Sequence, residues 1–190
     1  MTAVGVGLYI SRLNPSSSRN MIVYKCKISG DELFSDSYPC TVVEDFFFEV
    51  VGKNISISNK IDESLIGANA SAEEGGETMA DAEETKINVI HANKLQPTSF
   101  DKKSYQVFIK EYIKNLTEKI TAEKGEEAAA EFKGRAVKGI KKVLGNFANW
   151  EFYTGESMAE GGMIVLMDYQ EDGITPYFWF IREGIQEEKY

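Results

Sequence analysis

One apolar stripe at helical spacing interrupts a chain that otherwise has the pattern of short strands, and it limits the fold more than any other feature. Its members recur every three or four residues: Tyr105, Phe108, Ile109, Tyr112, Ile113, Leu116 and Ile120. This spacing places them on one face of an amphipathic α-helix. Asp101 is the candidate N-cap, Ser104 lies in the first turn, and Gly125 marks the expected end of the helix.

A second helical pattern follows Gly125 directly. Its residues predicted to face inward are Phe132, Ala136, Ile140, Val143, Leu144 and Phe147. Because the connection between the two helices is short, they are predicted to be antiparallel neighbours. The sequence therefore predicts a helical hairpin over about 99–147.

Strand patterns lie on both sides of this hairpin. The predicted strands are 21–28, 46–51, 54–58, 86–91, 150–154, 163–169 and 177–182. Gly52 and Lys53 are predicted to form the tight turn of a β-hairpin between the second and third of these strands. Strands that are separated by turns and lack crossover helices indicate a mainly antiparallel sheet. The predicted fold class is α+β, with an antiparallel β body from which the helical hairpin projects.

A strongly acidic segment lies between the predicted strands. From Asp62 to Glu84 the chain has eight carboxylates and no Lys or Arg. Because this segment has few apolar side chains to bury, burial cannot offset the conformational entropy that is lost on ordering. A mobile acidic loop is therefore predicted over about 62–85. Asn69, Glu73 and Glu74 are candidate oxygen ligands for calcium, although the segment lacks EF-hand spacing. A solvated acidic loop and a weak calcium site both stay open.

Charge is unevenly distributed along the chain. The formal net charge of −9 argues against general binding to nucleic acid or to anionic membranes. Residues 99–147 carry eleven Lys or Arg against seven Asp or Glu, a net of +4. Lys102, Lys103, Lys110 and Lys114 on the first helix could attract an acidic partner. A solvated Lys-rich face is the alternative interpretation.

Residues that carry covalent chemistry are few. Cys26 and Cys40 have neither a disulfide framework nor zinc spacing, so reduced thiols in the cytoplasm are expected. His91 is the single histidine, lies at the end of a predicted strand and has no nucleophile motif beside it. No apolar run approaches the ~20 residues that a membrane span requires. Residues 1–20 are predicted to be a flexible extension and lack the basic start of a secretory signal. A non-enzymatic binding protein is predicted.

Two separated motifs resemble the translationally controlled tumour protein family. The first motif is Ile66-Gly67-Ala68-Asn69-Ala70-Ser71-Ala72-Glu73. The second consists of Phe147, Phe152-Tyr153-Thr154-Gly155-Glu156, Gly162-Met163-Ile164-Val165 and Tyr169. The resemblance covers 21–190 and predicts a single domain there. Residues 1–20 are then either a true extension or a segment upstream of an alternative start.

The resemblance implies a β-tent fold and a cytosolic, multi-partner role in growth and survival. Glu32, by its own context an exposed turn residue, occupies the position implied to drive nucleotide exchange on a small Ras-like (Rheb-like) GTPase. The hairpin lysines are implied to bind tubulin, and anti-apoptotic proteins are further implied partners. Weak Ca²⁺ binding is implied, with no required cofactor, and a calcium-binding or chaperone-like stress protein is the alternative. Gly155 is expected to provide conformational freedom to a turn.

Overall fold

The computed structural model describes residues 21–57 and 84–190. The predicted extension over 1–20 and nearly all of the predicted acidic loop lie outside these ranges. Within them, no helix is long and apolar enough to cross a membrane.

The described residues form eleven strands and three α-helices. Two short 3-10 turns, Phe147–Asn149 and Arg182–Gly184, lie between some of these elements. The strands are β1 Ile22–Cys26, β2 Glu32–Ser35, β3 Cys40–Val43, β4 Phe47–Val51, β5 Asn54–Ile57, β6 Glu84–Ile87, β7 Gln96–Thr98, β8 Glu151–Thr154, β9 Val165–Tyr169, β10 Pro176–Ile181 and β11 Ile185–Lys189. The helices are α1 Asn88–Ala92, α2 Lys102–Lys124 and α3 Glu126–Gly145.

Three antiparallel sheets make up the β body. The largest has the strand order β3-β4-β10-β9-β8-β7, the second has the order β11-β1-β2, and β5 pairs with β6. All the pairings are antiparallel. The α2–α3 hairpin is inserted between β7 and β8, which are hydrogen-bonded neighbours, so both ends of the insertion return to the same place. The α+β fold with an inserted helical hairpin is confirmed.

The helix boundaries follow from local chemistry. The Asp101 carboxylate accepts hydrogen bonds of 2.8 Å from the backbone N–H groups of both Lys103 and Ser104. The Ser104 hydroxyl in turn accepts a hydrogen bond from the Asp101 N–H, which completes a capping box. Gly125 separates α2 from α3 at a φ of 89°, a value that glycine adopts without a steric penalty. The predicted cap and the predicted break are both confirmed.

The hairpin packs along the β body and does not project from it. Its predicted stripe is buried or half-buried and belongs to the same core as the sheets. The ring of Phe132 lies 5.8 Å from that of Phe46, between ring centroids. A Cβ at Gly139 would come within 3.0 Å of Phe47, so a side chain there would prevent the close approach of α3. The expectation of a projecting hairpin was wrong because its apolar face is buried against the sheets.

Two local predictions about the strands were also wrong, and four strands were missed. Residues 52–53 do not close a β-hairpin, because β4 pairs with β3 and β10 whereas β5 pairs with β6 in another sheet. The strand predicted over 86–91 ends at Ile87, and α1 follows it and carries an exposed His91. Four strands were not predicted: β2, β3, β7 and β11.

Candidate functional site

Glu32 begins strand β2 and does not lie in the turn that was predicted. β2 pairs with β1, and the register shifts between Tyr24 and Lys25, so that Lys25 lies opposite Glu32. This irregularity allows two consecutive residues, Leu33 and Phe34, to be fully buried, which a regular strand would not permit. The Glu32 side chain is then left outside, 54% exposed.

Lys25 is the centre of a small ionic cluster beside Glu32. Its Nζ lies 2.6 Å from the Glu188 carboxylate and donates a 2.7 Å hydrogen bond to the Tyr190 hydroxyl. These hydrogen bonds, to Glu188 first and to Tyr190 second, raise the pKa of Lys25 above its ordinary value. The distance from Lys25 Nζ to the Glu32 carboxylate is longer, 3.5 Å. Glu188 is therefore the main partner of Lys25, and Glu32 keeps a carboxylate that another cation can approach.

Asp31, the residue before β2, is hydrogen-bonded to the turn at Ser157, which lies more than a hundred residues away in the sequence. Its carboxylate accepts a 2.7 Å hydrogen bond from the Ser157 hydroxyl and a 3.2 Å bond from the Ser157 N–H. Gly155 lies directly against Asp31, since a Cβ at position 155 would come within 2.5 Å of the Asp31 Cβ. Gly155 is not among the residues with positive φ. Close approach, not the expected conformational freedom, therefore explains this glycine.

A second ion pair completes the surface. The Lys94 ammonium lies 2.7 Å from the Glu156 carboxylate. Its hydrogen bond to Glu156 raises the pKa of Lys94, and the charge of Glu32 adds a smaller effect, which places both pairs in one neighbourhood. We define the Glu32 surface as Lys25, Asp31, Glu32, Lys94, Glu156 and Glu188. Its four carboxylates outnumber its two ammonium groups.

The four predicted lysines of the hairpin all lie on α2 and are exposed. At 100° per residue, Lys103, Lys110 and Lys114 share one side of the helix, and Lys102 lies away from them. None of the four makes an ion pair with another residue in 21–57 or 84–190. We call Lys103, Lys110 and Lys114 the lysine stripe. The structure places it on a different element from Glu32, so the two form separate surfaces.

Several other basic residues of the hairpin are used inside the fold. Arg135 pairs with Glu183 at 2.9 Å, and Lys142 pairs with Glu44 at 2.9 Å. The Lys119 ammonium donates a 3.1 Å hydrogen bond to the backbone carbonyl of Lys27, in the turn that follows β1. These three cations hold the hairpin to the β body.

Comparison with known proteins agrees with both the fold and the motifs. The sequence profile of the family described as translationally controlled tumour protein matches residues 21–186. The chain belongs to this family. A tumour protein homologue from Branchiostoma belcheri is 47% identical over 170 residues, which are 90% of this chain and 100% of the homologue. A homologue from Schistosoma japonicum is 44% identical over the same length and the same two coverages.

Solved structures of the family are similar to the whole described domain. The translationally controlled tumour-associated protein of Schizosaccharomyces pombe has a TM-score of 0.75 at 41% identity, covering 89% of this chain and 99% of that one. The NMR structure of the Caenorhabditis elegans protein has a TM-score of 0.65 at 29% identity, covering 89% and 98%.

The second family motif is mainly structural. Phe147 and Phe152 pack together under the start of α2, with ring centroids 5.3 Å apart, and Tyr105 contacts both rings. Met163 and Val165 are buried. Within this motif, Gly155 and Glu156 are the residues that reach the Glu32 surface. The motif therefore identifies the family by its packing and not by a reactive group.

The three calcium candidates belong to the acidic segment between Asp62 and Glu84. Asn69, Glu73 and Glu74 lie outside the described residues. Among residues 21–57 and 84–190, no group of three or more His, Cys, Asp or Glu side chains is placed to hold a metal ion. Both cysteines are unpaired, Cys26 in the core and Cys40 in β3.

Sequence reasoning missed the ionic cluster beside Glu32, which consists of Lys25 and its partners Glu188 and Tyr190. The last two belong to β11 or follow it, and this strand has a single buried residue, Ile185. Alternating hydrophobicity therefore gave no signal. The five-residue register between β1 and β11, which pairs Val23 with Glu188, could be found only from the folded chain.

Proposed function

We propose that this chain is a cytosolic, non-covalent binding protein for growth and survival that engages a small Ras-like GTPase through the Glu32 surface. Nucleotide exchange on a Rheb-like GTPase is the activity we assign to that contact. Anti-apoptotic proteins are further partners that this role would include. Membership of the tumour protein family and the exposed, incompletely paired carboxylate of Glu32 support the proposal.

The main support for this proposal is that two carboxylates lie at different distances from the same lysine. Lys25 lies 2.6 Å from Glu188 but 3.5 Å from Glu32. A carboxylate with a distant partner loses little when a new cation approaches. Inserted at a nucleotide site, Glu32 would compete with phosphate oxygens for Mg²⁺ or for the phosphate-binding lysine of the GTPase. GDP would then bind more weakly without any covalent step, because Glu32 favours the nucleotide-free state.

A matched pair of variants tests this. Glu32→Gln removes the charge of Glu32, whose side chain is 54% exposed, and Glu171→Gln removes the same charge from an exposed residue outside the Glu32 surface. We expect Glu32→Gln to weaken binding to a Rheb-like GTPase and to slow its GDP release, measured with a fluorescent GDP analogue. Glu171→Gln should leave both close to wild type. Equal behaviour of the two variants, or unchanged GDP release with Glu32→Gln, would refute the proposal.

Tubulin is the second partner that we propose, through Lys102, Lys103, Lys110 and Lys114. Lysines in the first helical turn are unfavourable for the helix dipole, yet Lys102 and Lys103 both lie there. Since all four lysines are exposed and lack ion pairs within the described ranges, they are available to acidic chain segments. Such binding should weaken as salt rises.

Charge reversal tests this second contact. The double variant Lys110→Glu/Lys114→Glu should lose co-sedimentation with microtubules. Lys138→Glu/Lys141→Glu changes the net charge by the same amount on α3 and should retain it. Pelleting of the Lys110/Lys114 variant at the wild-type level would count against the lysine contact.

A calcium-binding or chaperone-like stress protein is the alternative, based on the carboxylates of the acidic segment. Deletion of 73–84 separates the two functions. Under the alternative, calorimetric heat with millimolar Ca²⁺ disappears on deletion, whereas GTPase and tubulin binding under the main proposal persist.

A further inference from the structure

The outer side of the helical hairpin contains an open apolar groove, at which the core leaves Ile113 and Ile140 only partly buried. It lies between α2 and α3 and has a volume of about 660 Å³. Its apolar lining comes from Ile113 on α2 and from Ala136, Val137 and Ile140 on α3. Val137, at the edge of the groove, is 68% exposed.

Two threonines of α2 line the groove without needing a polar partner in it. The Thr117 hydroxyl donates a 2.7 Å hydrogen bond to the Ile113 carbonyl, and the Thr121 hydroxyl donates one of 2.8 Å to the Thr117 carbonyl. Hydroxyls that are bonded back to their own helix are already satisfied. The groove therefore offers apolar contact along its floor without leaving an unpaired polar group when water is removed.

The rim of the groove is basic. Lys110, Lys114 and Lys133 line it, against a single acid, Glu118. None of the four forms an ion pair with another residue in the part of the chain that the structure describes. An occupant with carboxylates at its edges would neutralise these lysines, whereas a basic occupant would be repelled.

We propose that this groove binds an acidic amphipathic helix of a partner protein. Its apolar stripe would fill the floor between α2 and α3, and its flanking carboxylates would pair with Lys110, Lys114 and Lys133. This is helix-in-groove recognition, in which anchors at i, i+3 or i+4, and i+7 enter an apolar cleft. A disordered acidic tail would pair with the lysines but would leave the apolar floor of the groove exposed to water. A second copy of this chain docking through the same face is disfavoured, because residues 99–147 carry a net charge of +4 on each copy.

This inference rests on the proposed function in one respect, since Lys110 and Lys114 belong also to the tubulin contact. It adds that apolar side chains, and not charge alone, select the partner. The distance from Lys110 to Thr121 along α2 is about 17 Å, so a helical peptide of about 15 residues covers the groove.

Fluorescence anisotropy with two synthetic peptides tests it. One peptide has a leucine stripe flanked by glutamates, and the other has the same composition in scrambled order, so that the charge is equal but the stripe is lost. We expect the striped peptide to bind the full chain roughly tenfold more tightly than the scrambled one. Equal affinity for both peptides would overturn the inference and leave only an electrostatic surface.

A matched pair of valines locates the site. Val137→Asp places a charge at the groove, and Val107→Asp does so at a valine of α2 that is equally exposed, 67% against 68%, but does not line the groove. Val137→Asp should weaken binding of the striped peptide roughly tenfold, and Val107→Asp should not. Loss of binding in neither or in both variants would overturn the assignment of the groove. Circular dichroism of both variants checks that the hairpin is folded.

The tubulin proposal and this inference fail in different ways. If Lys110→Glu/Lys114→Glu still pellets with microtubules while Val137→Asp loses the striped peptide, the tubulin contact is wrong and the groove stands. If that lysine variant stops pelleting while striped and scrambled peptides bind alike, the tubulin contact stands and the groove inference is wrong.

Discussion

Gly155→Ala should destabilise the fold, although most Gly→Ala changes at ordinary backbone angles do not. A Cβ at position 155 would lie 2.5 Å from the Asp31 Cβ and 2.6 Å from its Cγ. Carbon atoms in contact normally lie about 3.5–4.0 Å apart, so Asp31 must move by about 1 Å. That movement strains the two hydrogen bonds between Asp31 and Ser157.

The expected magnitude combines two opposed terms. Overpacking costs about 1–3 kcal/mol, and the lower entropy of unfolded alanine returns about 0.4–1 kcal/mol. From the middle of each range the net loss is about 1.3 kcal/mol, which for a domain of this size lowers the melting temperature by roughly 3–5 °C. Thermal unfolding followed by circular dichroism measures this shift.

Two companion variants make the test specific. Gly134→Ala lies on α3 with open space around its Cβ and should stabilise the protein by about 0.5–1 kcal/mol. Asp31→Gly removes the atoms that the new methyl group meets, so Gly155→Ala should cost far less in that background. A melting temperature for Gly155→Ala at or above wild type would refute the close-packing explanation. So would an equal cost of Gly155→Ala in both backgrounds.

Three further predictions concern an ion pair of the hairpin, the N-cap of α2 and the Cys40 thiol. Arg135→Ala leaves Glu183 without its ionic partner, and the Glu183 side chain is only 12% exposed. The free energy of unfolding, measured in urea, should therefore fall by about 1–3 kcal/mol. The exposed Lys138→Ala serves as the control, and equal unfolding midpoints for the two variants would contradict the prediction. Backbone hydrogen bonds from Ser104 and Lys103 hold the pKa of Asp101 below its ordinary value. The Asp101 carboxylate therefore stabilises α2 fully at pH values above its ordinary pKa. This stabilisation is lost as the pH falls through the lower pKa of the folded protein. The difference in melting temperature between wild type and Asp101→Ala should narrow over that range, and a constant difference would count against it. Cys40 is exposed, but partial desolvation by the surrounding residues, with a smaller effect of Glu49, raises the pKa of its thiol to about 11. Alkylation by iodoacetamide at pH 8 should be slower for the folded chain than for the unfolded one, and equal rates by peptide mass spectrometry would contradict this.

The candidate surfaces were only partly accessible from the sequence. Lys103, Lys110 and Lys114 were predictable as exposed residues because helical spacing places them on the side of α2 opposite the apolar stripe. The environment of Glu32 was not, because Glu156 and Glu188 lie more than a hundred residues away in the sequence, and the irregular register of β1 and β2 decides that Lys25 lies opposite Glu32. The family motif pointed to Gly155 but gave the wrong reason for it.

The sequence by itself determined the elements whose interactions are local. The bounds of α2, its Asp101 capping box and the break at Gly125 depend on residues within four positions of one another, so periodicity and cap chemistry were sufficient. Strand pairing was decided only by the tertiary structure. Gly52 donates its N–H to the Pro176 carbonyl, and Lys53 donates to the Asn88 side chain, so the chain passes from one sheet to another where a tight turn was predicted. β11 likewise has almost no apolar pattern and is held by its register with β1. A helix completes its hydrogen bonds within its own segment, whereas a strand completes them with partners that can lie more than a hundred residues away.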